Sequence, residues 1–585
     1  MNSTKRKVGV DVQMDKKQLI KKLEQIAIYM ELKGDNPFKI SAYRKAAQAL
    51  ESDDRSLTEI DDVTKLNGIG KGTAAVIHEL IETGESTTLN QLIEEVPAGL
   101  VPLLQLQGLG GKKLAKLYQE LGIIDAATLQ AACEQGKVQQ LNGFGKKTEE
   151  KILQALQSAS QRPERLPVAF MLPIAERIEA SLRAMDGIDQ FSRAGSLRRM
   201  KETMKDLDFI IATTDIEKVR HELLQLNGIK EIVAKGDTKV SIVLDEGYDV
   251  GVDFRLVSSE EFATTLHHFT GSKDHNVAMR QLAKEHKEKI SEYGVENMET
   301  GELKTFSTEQ DFFAHFGLTF IPPEVRENNG EVERFKEEVP LLKREHIRGD
   351  LHMHTAWSDG AQSLKEMADR AIEKGYDYIA ITDHSKYLRV ANGLDETRLR
   401  KQKEEIDKLN ETFDSFRIFA GVEMDILPDG SLDFSDEFLQ EMDFVIASIH
   451  SSFSQSQAQI MTRLNRALEC PYVHLIAHPT GRLIGRREGY DVDIDELIEG
   501  AKRTGTALEL NANPNRLDLS TEFLMKAQQE GVRIAINTDA HNFSMLEHMD
   551  IGVRFGRKGW LRKETVLNTW TVDEVEQFMK DKRHH

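Results

Sequence analysis

Hydrophobic and polar positions along the chain keep three successive rhythms. Through roughly the first 160 residues the apolar positions recur at helical spacing, as in NPFKISAYRKAAQAL (36–50), a basic amphipathic helix. Three stretches there repeat one another: LNGIGKGTAAVIHEL from Leu66, LQGLGGKKLAKLYQELG from Leu106 and LNGFGKKTEEKILQAL from Leu141. After SASQRPERLPV (158–168), which reads as a linker, short apolar strands enter. DLDFIIA (206–212) and YDVGVDFRL (248–256) alternate with period two, so Asp206 and Asp208 share one face of a strand and Asp253 lies on another. Beyond a charged stretch at 326–346 the pattern becomes strand, helix, strand, helix, the rhythm of βα units around a parallel sheet.

At 585 residues the chain exceeds one hydrophobic core and predicts three or four domains. No run of 18 apolar residues could span a bilayer, and the polar N-terminus lacks the apolar core of a secretory signal, so a cytoplasmic protein is expected. Cys133 and Cys470 are too few and too far apart for a disulfide framework and read as free thiols. A net charge of -20 argues against a nucleic-acid partner, but residues 1–165 are close to charge-balanced, with lysines grouped beside glycines.

Those glycines carry candidate chemistry. Each repeat reads Leu-x-Gly-apolar-Gly with lysine close behind, giving the pairs Gly68 and Gly70, Gly108 and Gly110, Gly143 and Gly145. Two glycines permit a tight turn that exposes backbone N–H groups at the start of a helix, where an anion is favoured. One copy could equally be a corner that needs glycine sterically; three copies 35 to 40 residues apart point to DNA backbone contact. The pattern resembles the helix-hairpin-helix motif.

In AGSLRRMKETMKDLDFIIATTD (194–215), Gly195 and Ser196 form a small-residue turn followed by Arg198 and Arg199, suited to a triphosphate. Asp206, Asp208 and Asp253 are suited to bridging two Mg2+ or Mn2+ ions. With HHFTGSKDHNVAMR (267–280), these segments resemble the palm and nucleotide-binding subdomain of family X DNA polymerases, the group of DNA polymerase beta, over about 15–325. The resemblance implies that Gly195, Ser196 and Arg199 bind an incoming deoxynucleoside triphosphate. It implies that Asp206, Asp208 and Asp253 hold two metal ions, with Asp253 the base or conduit for the primer 3′-hydroxyl proton. Phe269, Thr270 and Gly271 then line the sugar pocket, and Asn276 and Arg280 touch the nascent base pair. Two positions depart from the family: His268 replaces a tyrosine, and Val76 stands where the Schiff-base lysine of the deoxyribose-phosphate lyase is expected, leaving Lys71 or the preceding helix to supply any amine.

Beyond residue 347 the apolar runs end in ligand-type residues, His384 in YIAITDHS, Glu423 in FRIFAGVEMD, His450 in FVIASIHS, His478 in VHLIAHPTG, and Asp539 and His541 in RIAINTDAHN, which join His352, His354 and Asp359 of GDLHMHTAWSDG. In a parallel barrel the C-terminal strand ends converge on one mouth. Six imidazoles and three carboxylates are too many for one ion and about right for three. His474, inside its strand, reads as structural, and Arg482, Arg486 and Arg487 as either phosphate holders or a solvated basic loop.

This half resembles the PHP (polymerase and histidinol phosphatase) domain, a distorted barrel with three Mn2+ or Zn2+ ions for phosphoester hydrolysis, and every expected ligand position is filled. The whole resembles the bacterial family X polymerases that carry a PHP domain. The expected fold is multidomain α/β. It comprises a helical domain with the first hairpin (1–95), a second helix-hairpin-helix subdomain (96–160), a nucleotidyltransferase-type mixed-sheet palm (161–257) and a nucleotide-binding subdomain (258–325). A linker (326–346) and a distorted (β/α)7 PHP barrel (347–585) follow. The implied activities are gap-filling synthesis on gapped or primer-template DNA and 3′-5′ exonuclease action. The alternatives for the barrel are cleavage at abasic sites or hydrolysis of a small phosphate ester on a DNA-binding scaffold. No membrane and no second subunit are expected.

Overall fold

The computed structural model describes residues 16–52, 60, 62–100, 102–105, 109–161 and 164–584. Its contacts divide the chain into two compact units, Met1–Pro163 and Glu164–His585.

The first unit is helical among its described residues: α1 (Lys16–Lys33), α2 (Pro37–Ser52), α3 (Lys71–Thr83), α4 (Thr87–Glu95), α5 (Gly111–Leu121), α6 (Ala126–Glu134) and α7 (Lys146–Gln161). Apolar residues at helical spacing, such as Val76, Ile77 and Leu80 of α3, face one shared core. The first and third repeats build the same turn. A short 3-10 turn (Val63–Lys65, Val138–Gln140) leads into it, Ile69 N–H donates to Leu66 O and Phe144 N–H to Leu141 O, and α3 and α7 start one residue after Gly70 and Gly145. Gly68 at φ +110° and Gly143 at φ +91° make the bend in the left-handed region that glycine favours.

The second unit begins sooner than the expected linker allows. Helix α7 runs to Gln161, and Leu166 and Pro167 already pair with Met204 and Thr203. The palm follows α8 (Val168–Ala184) with five strands: β1 (Gln190–Arg193), β2 (Asp206–Ala212), β3 (Ile229–Lys235), β4 (Lys239–Asp245) and β5 (Asp249–Val257). Their order is β1-β2-β5-β4-β3, with β2 and β5 parallel and the other pairs antiparallel. Along β5 buried Val250, Val252, Phe254 and Leu256 alternate with more open residues that include Asp253. Helices α9 (Phe262–Thr270) and α10 (Lys273–Glu285) and a three-stranded sheet then form a core of their own.

The segment 326–346 is not a solvated linker. Arg326 is fully buried, donates to Ile321 O and pairs with Glu309 at 2.6 Å. Buried Glu331 meets His275 Nδ1 at 2.7 Å, while Val332, Phe335 and Leu341 pack beside Trp560. The segment's charge reads as a linker; Arg326 and Glu331 are instead paired in the interior, where an unpaired charge would be costly.

The barrel has seven parallel strands in chain order: β6 (Gly349–Asp350), β7 (Tyr378–Ile381), β8 (Arg417–Asp425), β9 (Phe444–Ser448), β10 (Leu475–Ile476), β11 (Ala507–Asn511) and β12 (Ile534–Asn537). A parallel bridge between Met353 and Ala540 brings the first and last together. The strands are buried on both faces, which is why they read as near-continuous apolar runs.

Candidate active sites

In the palm, the parallel register sets Asp208 directly opposite Asp253 and Asp206 opposite Gly251. A side chain at 251 would put its Cβ 2.5 Å from Asp206 Oδ1, so the bare glycine leaves that carboxylate its place. Gly195, at φ +57°, lies closer still: a Cβ there would stand 2.1 Å from Asp208 Oδ2, and Ala194 N–H donates to Asp208 O at 2.7 Å. The Gly195-Ser196 turn thus rests directly on the carboxylate strand. Burial pushes the Asp208 carboxyl up to about 6, with Asp253 and Asp206 adding to it and Lys239 and Arg199 opposing. Ser241 Oγ donates to Asp253 Oδ1 at 2.6 Å and Lys239 Nζ lies 2.8 Å from Oδ2.

Both arginines of the turn are engaged with the next subdomain. Arg198 donates to Thr270 Oγ1 at 2.7 Å and pairs with Glu309 at 2.5 Å. Arg199 donates through Nη1 to Thr270 O and through Nε to Glu327 at 3.2 Å. Two of its five N–H groups are used among the described residues. Gly271 sits against it, since a Cβ there would come within 3.3 Å of Arg199 Nη1. Phe269 lies under the Arg255 guanidinium, 4.5 Å from its ring centre, and edge-on to His268. Asn276 donates to His268 O at 2.8 Å, while Arg280 and His268 line a cavity of about 520 Å³ with Lys284, Ile290 and Met298.

At the barrel mouth the nine singled-out residues come together. Ligand-type atoms of His354, Asp359, His384 and His541 form one group within 4.8 Å of one another, those of His352, His354 and Asp539 a second, and those of His384, Glu423 and His450 a third. His478 joins the third through Nε2, 3.0 Å from Glu423 Oε1. His354 and His384 each belong to two groups, which makes the set continuous. The donor set fits hard or borderline divalent cations. His354 Nδ1, His384 Nδ1, His478 Nδ1 and Glu423 Oε2 are buried without a hydrogen-bond partner among the described residues, although His384 Nδ1 stands 2.9 Å from Glu423 Oε2. Polar atoms buried so densely and left unaligned fit a site made for cations.

The charges divide accordingly. Burial, reinforced by His384 and His541, holds His354 down at about 3, a neutral imidazole. Burial pushes the Glu423 and Asp539 carboxyls up, but the surrounding imidazoles outweigh it and hold both well below the usual range. Burial likewise works against charged His450 and His541, yet Glu423 with Asp425, and Asp359 with Asp539, raise them to about 10 and 9.

Sequence reasoning passed over the residues behind this layer. Glu509 Oε1 lies 2.7 Å from His352 Nδ1, and Asp425 lies 3.2 Å from His450 Nδ1. Asp383 gathers Thr355 Oγ1 at 2.6 Å, Ser358 Oγ and Gln402 Nε2, and so fixes the loop after His354. Such carboxylates set ring orientation and tautomer. The signal was present for Glu509, a carboxylate interrupting the apolar strand run TALELN. His474 is structural, accepting Val445 N–H at 3.1 Å and stacked on Phe444. Arg482 is tied to Glu202 at 2.8 Å and Arg487 lies over Phe453, so neither is a free basic loop residue.

In the first unit Gly68, Gly70, Gly110, Gly143 and Gly145 are exposed, and Gly108 lies outside the described residues. At Gly70, Gly110 and Gly145 no described atom lies within 4 Å of an added Cβ and φ is not positive, so neither packing nor backbone demands glycine there. Lys113 lies over Phe144 and Lys116 donates to Asn142 O, which places α5 beside the third hairpin. Val76 is buried in α3 and has no amine to offer.

Comparison with known proteins bears on all of these parts. Residues 14–86 match the helix-hairpin-helix domain, 100–158 the SAM-like helix-hairpin-helix tandem, 265–327 the DNA polymerase beta thumb and 350–513 the PHP domain. The chain belongs to the family X DNA polymerases that carry a C-terminal PHP domain. The DNA polymerase/3′-5′ exonuclease PolX of Bacillus subtilis (strain 168) is 62% identical to it over 567 residues, 97% of this chain and 100% of that protein. A probable phosphatase of Caldanaerobacter subterraneus subsp. tengcongensis is 29% identical over 245 residues, 40% of this chain and 91% of its own length. DNA polymerase lambda of Rattus norvegicus is 23% identical over 335 residues, 53% of this chain and 56% of its own length.

Proposed function

We propose that this chain is a DNA repair enzyme with two active sites. The palm extends a primer across short gaps using deoxynucleoside triphosphates, and the barrel mouth removes nucleotides from 3′ ends. The observation that carries this reading is the convergence of nine metal-type ligands at one barrel mouth in a chain whose palm sets Asp208 against Asp253.

In the palm, Asp206, Asp208 and Asp253 would hold two Mg2+ or Mn2+ ions, which when bound neutralise the triphosphate and ease attack at phosphorus. Asp253, steadied by Ser241 and Lys239, takes up or passes on the proton of the primer 3′-hydroxyl as that oxygen bonds to the α-phosphorus and pyrophosphate departs. Arg199 meets the triphosphate with the N–H groups that Thr270 and Glu327 leave, alongside Gly195 and Ser196. Phe269, Thr270 and Gly271 border the sugar, and Asn276 and Arg280 face the new base pair. The exposed glycine turns let DNA phosphates approach bare backbone N–H groups.

At the barrel, His352, His354, Asp359, His384, Glu423, His450, His478, Asp539 and His541 would hold three Mn2+ or Zn2+ ions, which when bound polarise a phosphodiester and acidify the attacking water. Glu509 and Asp425 hold His352 and His450 by their Nδ1 atoms, which aims each Nε2 into the mouth.

The test is end-labelled, one-nucleotide-gapped DNA with Mn2+, with and without deoxynucleotides. Wild type should lengthen the primer with nucleotides and shorten it without; Asp208→Ala should only shorten and His354→Ala only lengthen. The match to a probable phosphatase favours a second reading of the barrel, hydrolysis of a small phosphate ester. It would replace the exonuclease reading if no variant shortens DNA while wild type, but not His354→Ala, turns over p-nitrophenyl phosphate.

A further inference from the structure

Helix α11 (His548–Lys558) is part of the barrel half, yet its last turns grip the nucleotide turn of the palm. Arg554 Nη2 donates to Arg198 O at 2.9 Å and Lys558 Nζ to Arg199 O at 3.0 Å, the carbonyls of the two arginines that follow Gly195 and Ser196. Lys558 Nζ also donates to Glu324 O at 3.3 Å and to Glu327 Oε1 at 2.8 Å. Glu327 Oε1 is the same oxygen that receives Arg199 Nε, while Lys201 lies 3.0 Å from its partner Oε2.

The Lys558 side chain is 9% exposed, so water cannot satisfy its ammonium. Its three N–H groups have three acceptors, all from the polymerase half, and two of the three belong to Arg199 or to the carboxylate that aims Arg199. Docking alone does not need this arrangement. Arg554 and Arg557 already join α11 to the palm side through buried Glu324, at 2.9 and 3.1 Å, without touching Arg199. Lys558 adds a hold on Glu327 Oε1, the oxygen that receives the guanidinium. We infer that Lys558, on the barrel, is a positioning residue for nucleotide binding in the palm: through Glu327 and the Arg199 carbonyl it sets the guanidinium that the triphosphate meets. The inference rests on the polymerase reading above. It makes the barrel part of the nucleotide site through a residue that is none of the nine mouth ligands.

The test uses the full chain and steady-state incorporation of one deoxynucleotide into gapped DNA, with 3′ shortening and thermal melting measured alongside. Lys558→Met should raise KM for the deoxynucleotide about ten-fold with kcat within about two-fold, a loss of binding that leaves the chemical step alone. Lys558→Arg should recover most of that loss, since a guanidinium can donate to both Glu327 and the carbonyl. Shortening of 3′ ends should stay at the wild-type rate. Glu327→Gln should show the same KM-selective defect and add little when combined with Lys558→Met, because the two act through one contact. An unchanged KM in both variants overturns the inference. So does a parallel fall of both activities with a lowered melting point, which would make Lys558 a docking residue only. If the wild type fails to extend DNA at all, the polymerase reading falls first and takes this inference with it.

Discussion

The palm and the barrel mouth both gather carboxylates where phosphate is to be handled, and they balance them in opposite ways. In the palm, three carboxylates crowd onto two neighbouring strands, and the carboxyl of Asp208 is pushed up to about 6 by burial and by the other two. At the mouth, six imidazoles outnumber three carboxylates, and Glu423 and Asp539 are held well below the usual range despite burial. Glu509 and Asp425 then support the imidazoles from behind. A site with unbalanced negative charge takes up cations together with the phosphates of its substrate. A mouth of nine donors braced by a second layer would hold cations between turnovers more firmly than three carboxylates would.

The largest expected effects cut the two sites apart. His354→Ala should lower 3′ shortening by about a thousand-fold or more and leave extension within about two-fold, and Asp208→Ala should do the reverse, as rates on labelled gapped DNA would show. Loss of both activities in either variant would dissolve the contrast. Next comes retention of metal. After brief chelation and desalting, added Mg2+ should restore extension at once, whereas shortening should return only with Mn2+ or Zn2+; metal per chain, measured by plasma mass spectrometry, should fall with the shortening activity. Glu509→Gln should weaken metal retention and shortening by about 10- to 100-fold without moving extension.

How much of this was legible in the sequence depended on where the signal lay. Six of the nine mouth residues sat at or near the end of an apolar run and three in GDLHMHTAWSDG, local patterns that a parallel barrel turns into convergence. Glu509, like Glu423, lies inside its strand, but no apolar run ends on it. The linker expected at 326–346 is buried instead, because burial of charge depends on partners outside the segment: Arg326 with Glu309, 17 residues away, and Glu331 with His275, 56 away. Lys558 had no local signal at all, since its bond to Arg199 O spans 359 residues.

Smaller effects sharpen the picture of the scaffold around the palm. Burial pushes the Glu309 carboxyl up, but Arg326 and Arg198 outweigh it and hold it at about 2, against an ordinary 4.5. Its contribution to stability is therefore complete above about pH 4.5 and lost as pH falls through about 2, which melting curves across that window would show. Glu309→Ala should cost about 3 kcal/mol at neutral pH by leaving buried Arg326 without its carboxylate partner. Least in size, Gly145→Val should weaken DNA binding about three-fold while the melting point holds, because neither packing nor φ requires glycine there. A fall in melting point with unchanged DNA affinity would return that turn to a purely steric role.

The bridge from Met353 to Ala540 carries a consequence in time. Leu351 N–H reaches Asn537 Oδ1 across 186 residues, so the first and last barrel strands meet only when nearly the whole chain has left the ribosome. His352 and His354 emerge early, whereas Asp539 and His541, which complete two of the three ligand groups, emerge near the end. The palm carboxylates, all made by residue 253, precede them by nearly three hundred residues. A ribosome that stops before residue 539 therefore releases a fragment in which two of the three ligand groups at the mouth are incomplete.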